Sequence, residues 1–85
     1  MKTENAPIGI EALDLAIVKA GGIGRLAQEL GLTYQAIQFW RKPGRRFATP
    51  AEYAPTLEKL TGVRCEDLRP DIDWAVLRGT TEKAH

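Results

Sequence analysis

The clearest hydrophobic pattern in the chain lies within residues 23–42 and is interrupted once. Leu26, Ala27 and Leu30 recur at three- and four-residue spacing, so they share one face of a short helix. Gly31 then interrupts the pattern, because glycine readily adopts the positive φ that a tight turn requires. The stretch therefore predicts a helix that ends in a turn at this glycine.

A second helix is predicted directly after the turn. Thr33 can cap it, since its hydroxyl can accept a hydrogen bond from a backbone N–H of the first turn. Ile37 and Trp40 then share the apolar face of this helix. Ala27 is small at the point where the two helices would cross, so their backbones can approach closely. Two short helices and a three-residue turn predict a helix-turn-helix, with a core formed by Leu26, Ala27, Leu30, Gly31, Ile37 and Trp40.

Apolar spacing predicts another helix before this motif. It should begin at Gly9 or Ile10 and end at the glycine pair of residues 21–22. Leu15 and Val18 lie off its apolar stripe and need another contact, such as the C-terminal segment. The stripe itself comprises Leu13, Ala16, Ile17 and Ala20.

Residues 49–62 predict a fourth helix. Thr49 and Glu52 have the spacing of a capping box, and Pro50 fits the first turn. Pro55 falls beyond that turn, so either the first turn is a separate bend or the helix is kinked. The expected buried stripe is Tyr53, Leu57 and Leu60.

The remaining elements are shorter. Residues 65–68 predict one further helical turn, which residues 69–71 break. Residues 72–79 fit a short helix through Trp74 and Leu77, or a strand through alternating positions. Periodicity alone does not decide between these two possibilities.

Composition supports a single folded domain. The chain has 85 residues, of which 44% are hydrophobic and 27% are charged, so it can form one modest core. We therefore expect an all-α compact bundle of about five short helices over residues 1–85, with residues 1–8 as a disordered arm and residues 79–85 as a disordered tail. No run approaches the ~18 apolar residues of a membrane span, and we expect no signal peptide at the N-terminus.

Positive charge is concentrated on the predicted helix-turn-helix and the loop that follows it. The net charge of the whole chain is only +1. Residues 23–49 carry five basic residues against the single acid Glu29, whereas residues 50–85 carry seven acids and five bases. A local excess of positive charge on one motif is the electrostatic pattern of a surface that binds a polyanion.

The side chains that catalysis or metal binding would need are scarce. The single histidine is the last residue, His85, and the single cysteine, Cys65, has no histidine near it in the sequence. Cys65 is expected to be a small apolar filler, and the two residues cannot build a zinc site. We therefore expect no enzymatic activity, cofactor, metal or small-molecule substrate. A cytoplasmic location is expected, since a lone cysteine forms no internal disulfide.

The outward face of the motif's second helix carries side chains suited to a DNA major groove. Glutamine amides can pair with adenine, and aromatic side chains can contact a thymine methyl group. An ordinary solvated face explains glutamine and lysine equally well, but it explains exposed aromatic side chains poorly. The predicted base-contacting residues are Tyr34, Gln35, Gln38, Phe39 and Lys42. The predicted phosphate-binding residues are Gly24, Arg25, Thr33, Arg41, Arg45 and Arg46.

These residues also carry a resemblance to a known family. The spacing of Ala27, Gly31, Ile37 and Trp40 resembles that of Cro/CI-type repressors. The segments LTYQAIQFW, PGRR, TPAEYAPTLEKLTG and LRPDI extend the resemblance, over residues 10–73, to the YdaS-like branch of that family. Members of this branch are prophage and toxin–antitoxin regulators. The resemblance implies a lambda-repressor-like fold that binds a double-stranded DNA operator.

Three positions depart from the family pattern. Ile23 stands where a glutamine usually opens the first helix of the motif, Gln38 replaces a small hydroxyl residue, and Phe39 replaces a polar one. Because two of these residues lie on the predicted base-contacting face, the operator of relatives cannot be carried over to this chain.

The resemblance and the charge pattern together imply a Cro-like repressor of a phage or prophage promoter that acts by covering its operator. A homodimer is expected on DNA, with Trp74, Val76 and Leu77 as its contact, unless Trp74 covers the monomer's own core. One alternative is an antitoxin that represses its own operon and binds a toxin protein. Another is a protein–protein adaptor without DNA binding, in which Tyr34 and Phe39 form the contact.

Overall fold

Six helical elements follow one another in the computed structural model, which describes residues 6–76. They are α1 (Ile10–Ala20), α2 (Ile23–Leu30), α3 (Tyr34–Trp40), a 3₁₀ turn (Ala51–Tyr53), α4 (Ala54–Thr61) and α5 (Cys65–Leu68). Residues 74–76 are also helical, at the limit of the described part. The predicted all-α class is confirmed, with six helical elements instead of about five.

Helix α1 lies at the centre of the packing. It contacts α2, α4 and α5, while α3 packs against α2 and the 3₁₀ turn packs against α4. The five α-helices contribute side chains to one core, whose members are Leu13, Ala16, Ile17, Leu26, Ala27, Ile37, Trp40, Ala48, Ala54, Leu57, Val63, Cys65, Leu68 and Trp74. This arrangement leaves one side of α3 without a covering element.

The segment before α1 is tied to the loop after α3. The backbone N–H of Ile8 donates to the carbonyl of Arg46 at 2.9 Å, and the N–H of Ala48 donates to the carbonyl of Ile8 at 3.0 Å. Gly9 has a φ of +86° and lies so close to α5 that a Cβ there would overlap the carbonyl oxygen of Leu68. The disordered arm predicted for residues 1–8 therefore does not extend to residue 8, and residues 1–5 lie outside the described part.

The junction of α2 and α3 follows its local sequence signals. Helix α2 ends at Gly31, which has a φ of +74°. The hydroxyl of Thr33 accepts a hydrogen bond from the N–H of Ala36 at 3.1 Å and so caps α3, as predicted. Helix α3 ends at Trp40, two residues before the end of the patterned stretch at residues 23–42. Its last turn tightens, because the N–H of Lys42 donates to the carbonyl three residues earlier.

The capping box predicted at the start of the fourth helix is wrong. Residues 51–53 form a separate 3₁₀ turn, and no side chain caps either this turn or α4. Thr49 is instead fully buried, and its hydroxyl has no hydrogen-bond partner within the described part of the chain. Pro55 falls in the first turn of α4, where its missing N–H costs nothing. Of the two possibilities left open for this proline, the separate bend is therefore confirmed.

Burial corrects three further predictions. Leu60 is 44% exposed, so it does not belong to the buried stripe of α4, to which Ala54 contributes instead. Leu15 and Val18 on α1 are 49% and 73% exposed, so the described part of the C-terminal segment buries neither side chain.

The C-terminal part of the described chain folds back on the core. Helix α5 has the predicted bounds, and the break at residues 69–71 is present. Trp74 is 8% exposed, and its indole N–H donates to the carbonyl of Arg69 at 2.8 Å. The alternative of a strand at residues 72–76 is excluded, because residues 74–76 are helical. The predicted tail at residues 79–85 lies outside the described part.

Candidate nucleic-acid interface

Helix α3 turns its glutamines, Tyr34 and Phe39 outward, and it turns Ile37 and Trp40 inward. Ile37 is completely buried and Trp40 is 5% exposed, while Tyr34 and Phe39 are about half exposed. Gln35, Gln38 and Lys42 are also exposed. The indole of Trp40 packs on the ring of Tyr53, with 5.2 Å between ring centroids. This packing turns the opposite side of α3 toward solvent.

The two amide side chains of this surface are weakly held. The Nε2 of Gln38 lies 3.5 Å from the hydroxyl oxygen of Tyr34, one helical turn earlier. That distance is at the long limit of a hydrogen bond, and both groups are exposed to water. Exchanging this contact for one with a ligand therefore costs little, because water already competes for both groups.

The ring of Phe39 is partly covered by a cation from the following loop. The guanidinium carbon of Arg45 lies 4.7 Å from the ring centroid, within the range of a cation–π contact. Phe39 nevertheless stays 53% exposed. The contact places Arg45 beside the outward face of α3, so two residues predicted for different roles lie next to each other.

Arg41 is engaged in an ion pair with α1. Its Nε–H donates to a carboxylate oxygen of Asp14 at 2.8 Å. This hydrogen bond, opposed by partial desolvation, raises the pKa of Arg41 above its ordinary value. The residue predicted to bind phosphate is therefore positioned by a carboxylate in this structure, while its side chain stays 38% exposed.

The remaining predicted phosphate-binding residues lie on two surfaces. Gly24 and Arg25 are exposed in the first turn of α2, where Arg25 makes a loose ion pair of 3.7 Å with Glu29. Such an exposed ion pair contributes little to stability, and it leaves the guanidinium of Arg25 accessible. Thr33 is exposed, and its hydroxyl is used as the cap of α3. The other residues of this group, Arg45 and Arg46, lie in the loop after α3.

A cluster that the sequence did not predict lies at that loop. The guanidinium of Arg69 stacks on the ring of Phe47 at 4.1 Å, and the guanidinium of Arg46 lies 5.4 Å from the same ring. Arg69 also makes two 2.8 Å hydrogen bonds to the carboxylate of Asp71. The hydrogen bonds from Arg69 lower the pKa of Asp71. No local signal indicates this cluster, since Phe47 and Arg69 are far apart in the sequence.

The three residues predicted as a dimer contact have different positions. Trp74 belongs to the monomer's own core. Val76 is 57% exposed. Leu77 lies outside the described residues. Of the three, Val76 is therefore the one that the described part leaves available to another molecule.

The described residues contain neither a metal-binding cluster nor a helix that could span a membrane. Within residues 6–76, no group of three or more histidine, cysteine, aspartate or glutamate side chains could hold a metal ion. None of the helices in that range has the length and hydropathy needed to cross a bilayer.

The described part is thus a small all-α domain in which α3 turns Tyr34, Gln35, Gln38 and Phe39 to solvent and the following loop carries Arg45 and Arg46. The family model that matches residues 13–77 is described as "Bacterial toxin YdaS". Since this match covers most of the chain, the protein belongs to the YdaS family.

A relative that is named as a transcriptional regulator also matches the chain. The chain is 42% identical, over 65 residues, to the "Putative transcriptional regulator YdaS" of Escherichia coli (strain K12). That match covers 74% of this chain and 64% of the relative, so the chain spans less than two thirds of the relative's length. No solved structure gives a significant match to the chain.

Proposed function

We propose that the protein is a sequence-specific regulator of transcription that binds double-stranded DNA. In this proposal α2 and α3 are a helix-turn-helix, and α3 enters the major groove. The family membership and the name of the Escherichia coli relative both support a regulatory role.

The observation that carries the proposal is the orientation of α3. Ile37 and Trp40 are in the core, whereas Tyr34, Gln35, Gln38 and Phe39 face solvent. Had Gln35 and Gln38 been covered and Ile37 been exposed, no base contact would be possible. In the observed orientation, the amide of Gln35 or of Gln38 can form two hydrogen bonds to adenine. Tyr34 and Phe39 can contact a thymine methyl group or a sugar. Lys42, just beyond the helix, can reach guanine or a phosphate.

Phosphate contacts would orient α3 without adding sequence preference. Arg25, Arg45 and Arg46 lie around the motif, where residues 23–49 carry five bases and one acid. Arg41 would join them only when its ion pair with Asp14 opens. The N–H groups of Gly24 and its neighbours at the start of α2, which no side chain caps, add neutral donors for the same backbone.

Regulation would follow from occupancy alone. A protein bound to an operator that overlaps a promoter excludes the polymerase, and this requires no chemistry. Proteins of this kind gain affinity by pairing on half-sites about 34 Å apart, so we propose a homodimer on DNA. Repression of a phage or prophage promoter is the specific role that we propose, on the resemblance of the sequence to Cro/CI-type repressors.

The word toxin in the family description is compatible with a protein that acts by binding to promoters. A regulator that occupies promoters of its host would slow growth without any enzymatic step. In that case toxicity on overexpression would depend on the outward face of α3. An antitoxin that binds a separate toxin protein is the rival role, and co-purification with a second small protein would favour it.

A selection from random duplex DNA, followed by a salt titration of the winning sequence, tests the proposal. The selection should return one preferred site, and that site should be palindromic if the protein pairs on DNA. The logarithm of the binding constant should fall with the logarithm of salt by about 0.9 per phosphate contact. Recovery of no preferred sequence, or binding that is indifferent to salt, would favour a protein–protein adaptor that uses Tyr34 and Phe39.

A further inference from the structure

A pocket with an unusual lining opens beside the loop that follows α3. Its volume is about 320 Å³, and it is lined by Arg45, Arg46, Phe47, Thr49, Pro50 and Arg69. Half of these residues are arginines. Arg69 comes from the segment after α5, so the pocket exists only because distant parts of the chain meet here.

The wall of the pocket is held in place from several directions. The ring of Phe47 supports the guanidinium groups of Arg69 and Arg46. The backbone on both sides of Phe47 is hydrogen-bonded to Ile8. One N–H of Arg69 donates to the carbonyl of Thr49 at 3.2 Å. The side chains of Arg46 and Arg69 are therefore held in place by contacts with Phe47 and with the backbone of Thr49.

Charge in the pocket is not balanced. Arg69 is paired with Asp71. Arg45 and Arg46 form no ion pair within residues 6–76, although the charge of Arg46 helps to lower the pKa of Asp71. The buried Nε–H of Arg45 has no hydrogen-bond acceptor there. Thr49, which lines the same pocket, has a buried hydroxyl without a partner in that range. Converging cations repel one another, and an anion with several acceptor atoms would remove that cost.

We propose that this pocket binds a phosphate group, held by the guanidinium groups of Arg45 and Arg46 and flanked by Arg69. Phosphate has acceptor oxygens on every side, and the planar fork of arginine donates to two of them at once. The pocket is larger than a single phosphate, so it leaves room for the attached sugar. The inference deepens the proposed function where the phosphate belongs to a DNA backbone, and a free phosphate monoester offers the same chemistry.

Nuclear magnetic resonance of the full chain tests the proposal, because arginine Nε–H groups give separate signals. Deoxyadenosine monophosphate and a short DNA duplex are the two probes, and sodium chloride at matched ionic strength is the reference. We expect the Nε–H signals of Arg45 and Arg46 to move with one common dissociation constant. If the arginine signals move on addition of either probe, the pocket accepts a free phosphate monoester as well as a DNA phosphate. Movement with the duplex alone identifies a site for the DNA backbone.

Variants separate the pocket from general electrostatics. Arg45→Gln and Arg46→Gln should each weaken, about tenfold, the binding of a probe that moves these signals. Arg64→Gln is the matched control, since it removes the same charge from an exposed arginine outside the pocket. The proposal is overturned if neither probe moves the two signals more than chloride does, or if Arg64→Gln weakens binding as much as Arg45→Gln.

Failure of this inference and failure of the proposed function give different results. Steeply salt-dependent duplex binding with unmoved Arg45 and Arg46 signals would support DNA binding and contradict a phosphate site in the pocket. Binding of deoxyadenosine monophosphate without any duplex binding would support the pocket and contradict the proposed function.

Discussion

Arg41, the residue directly after α3, donates its Nε–H to the carboxylate of Asp14 in the middle of α1 at 2.8 Å. The two residues are 27 positions apart in the sequence. Their side chains are 38% and 45% exposed, so the pair adds little stability. Its importance is positional, because it links the end of the proposed DNA-binding helix to the central helix. It also holds a cation next to the surface where a phosphate would approach.

Breaking this ion pair should strengthen DNA binding. In an Asp14→Asn variant, the guanidinium of Arg41 loses its carboxylate and becomes available to a DNA phosphate. We expect tighter binding to duplexes of any sequence and a salt dependence steeper by about 0.9. A fluorescence anisotropy titration at several salt concentrations measures both quantities.

Glu11→Gln is the matched control for Asp14→Asn. It removes one negative charge from an exposed position on the same helix, so it changes the net charge equally. If both variants show the same salt dependence, the effect is one of overall charge, and Arg41 does not compete between carboxylate and phosphate.

Loss of either glutamine on the outward face of α3 should reduce discrimination between sequences. Gln35→Ala or Gln38→Ala is expected to cost about 1–3 kcal/mol on the preferred site and to leave non-specific binding nearly unchanged. Competition between the preferred site and a scrambled duplex measures this difference. Gln28→Ala, at an exposed position of α2, should have no such effect. Equal losses on both duplexes would mean that these amides do not contact bases.

Enlarging the buried residue at the contact of α2 with α3 should destabilise the protein. Ala27 is 3% exposed, and α2 packs directly on α3. Ala27→Leu is therefore expected to lower the free energy of unfolding by about 1–3 kcal/mol through overpacking. Urea denaturation measures the loss, and Ala75→Leu at an exposed helical position is the control. An unchanged midpoint would show that this site can accommodate a larger side chain.

Removing the hydroxyl of Thr49 should stabilise the protein. The side chain is fully buried and its hydroxyl has no partner in the described residues, so folding strips it of water without replacing the hydrogen bond. Thr49→Val is expected to raise the free energy of unfolding by roughly 1 kcal/mol. Thr56→Val, at an exposed position of α4, serves as the control in the same urea experiment. A lower midpoint for Thr49→Val would mean that the hydroxyl has an acceptor.

The pairing of Asp71 with Arg69 should stabilise the protein only above strongly acidic pH. The hydrogen bonds from Arg69 lower the pKa of Asp71 from its ordinary value of 3.8. The contribution is therefore complete above that value and is lost as the pH falls through the lower pKa of the folded state. Asp71→Asn should thus be less stable than the wild type at neutral pH, and the two midpoints should converge in strong acid.

Urea midpoints at neutral and at strongly acidic pH measure that convergence. Asp67→Asn is the matched control, because Asp67 is exposed and forms no ion pair within residues 6–76. A constant difference between the wild type and Asp71→Asn across this range would show that the carboxylate is not needed in its charged form.

Local sequence signals predicted the elements that depend on neighbouring residues. The cap at Thr33, the turn at Gly31 and the bounds of α5 all match the prediction. Each of these depends on hydrogen bonds between residues a few positions apart. The capping box at Thr49 failed even though its local pattern is equally clear. There the side chain is buried in the core and the carbonyl accepts a hydrogen bond from Arg69, so a distant contact replaced the local one.

The orientation of α3 was determined by the sequence itself, because the spacing of Ile37 and Trp40 decides which side of that helix can be buried. The all-α class and the basic character of the loop after α3 follow from the sequence in the same way. Only the tertiary structure decided which cations are free to bind a polyanion. It paired Arg41 with Asp14, placed Arg45 against Phe39 and brought Arg69 to the ring of Phe47. Two of these contacts, Arg41 with Asp14 and Arg69 with Phe47, join residues that are distant in sequence, and no periodicity or capping preference extends over such a separation.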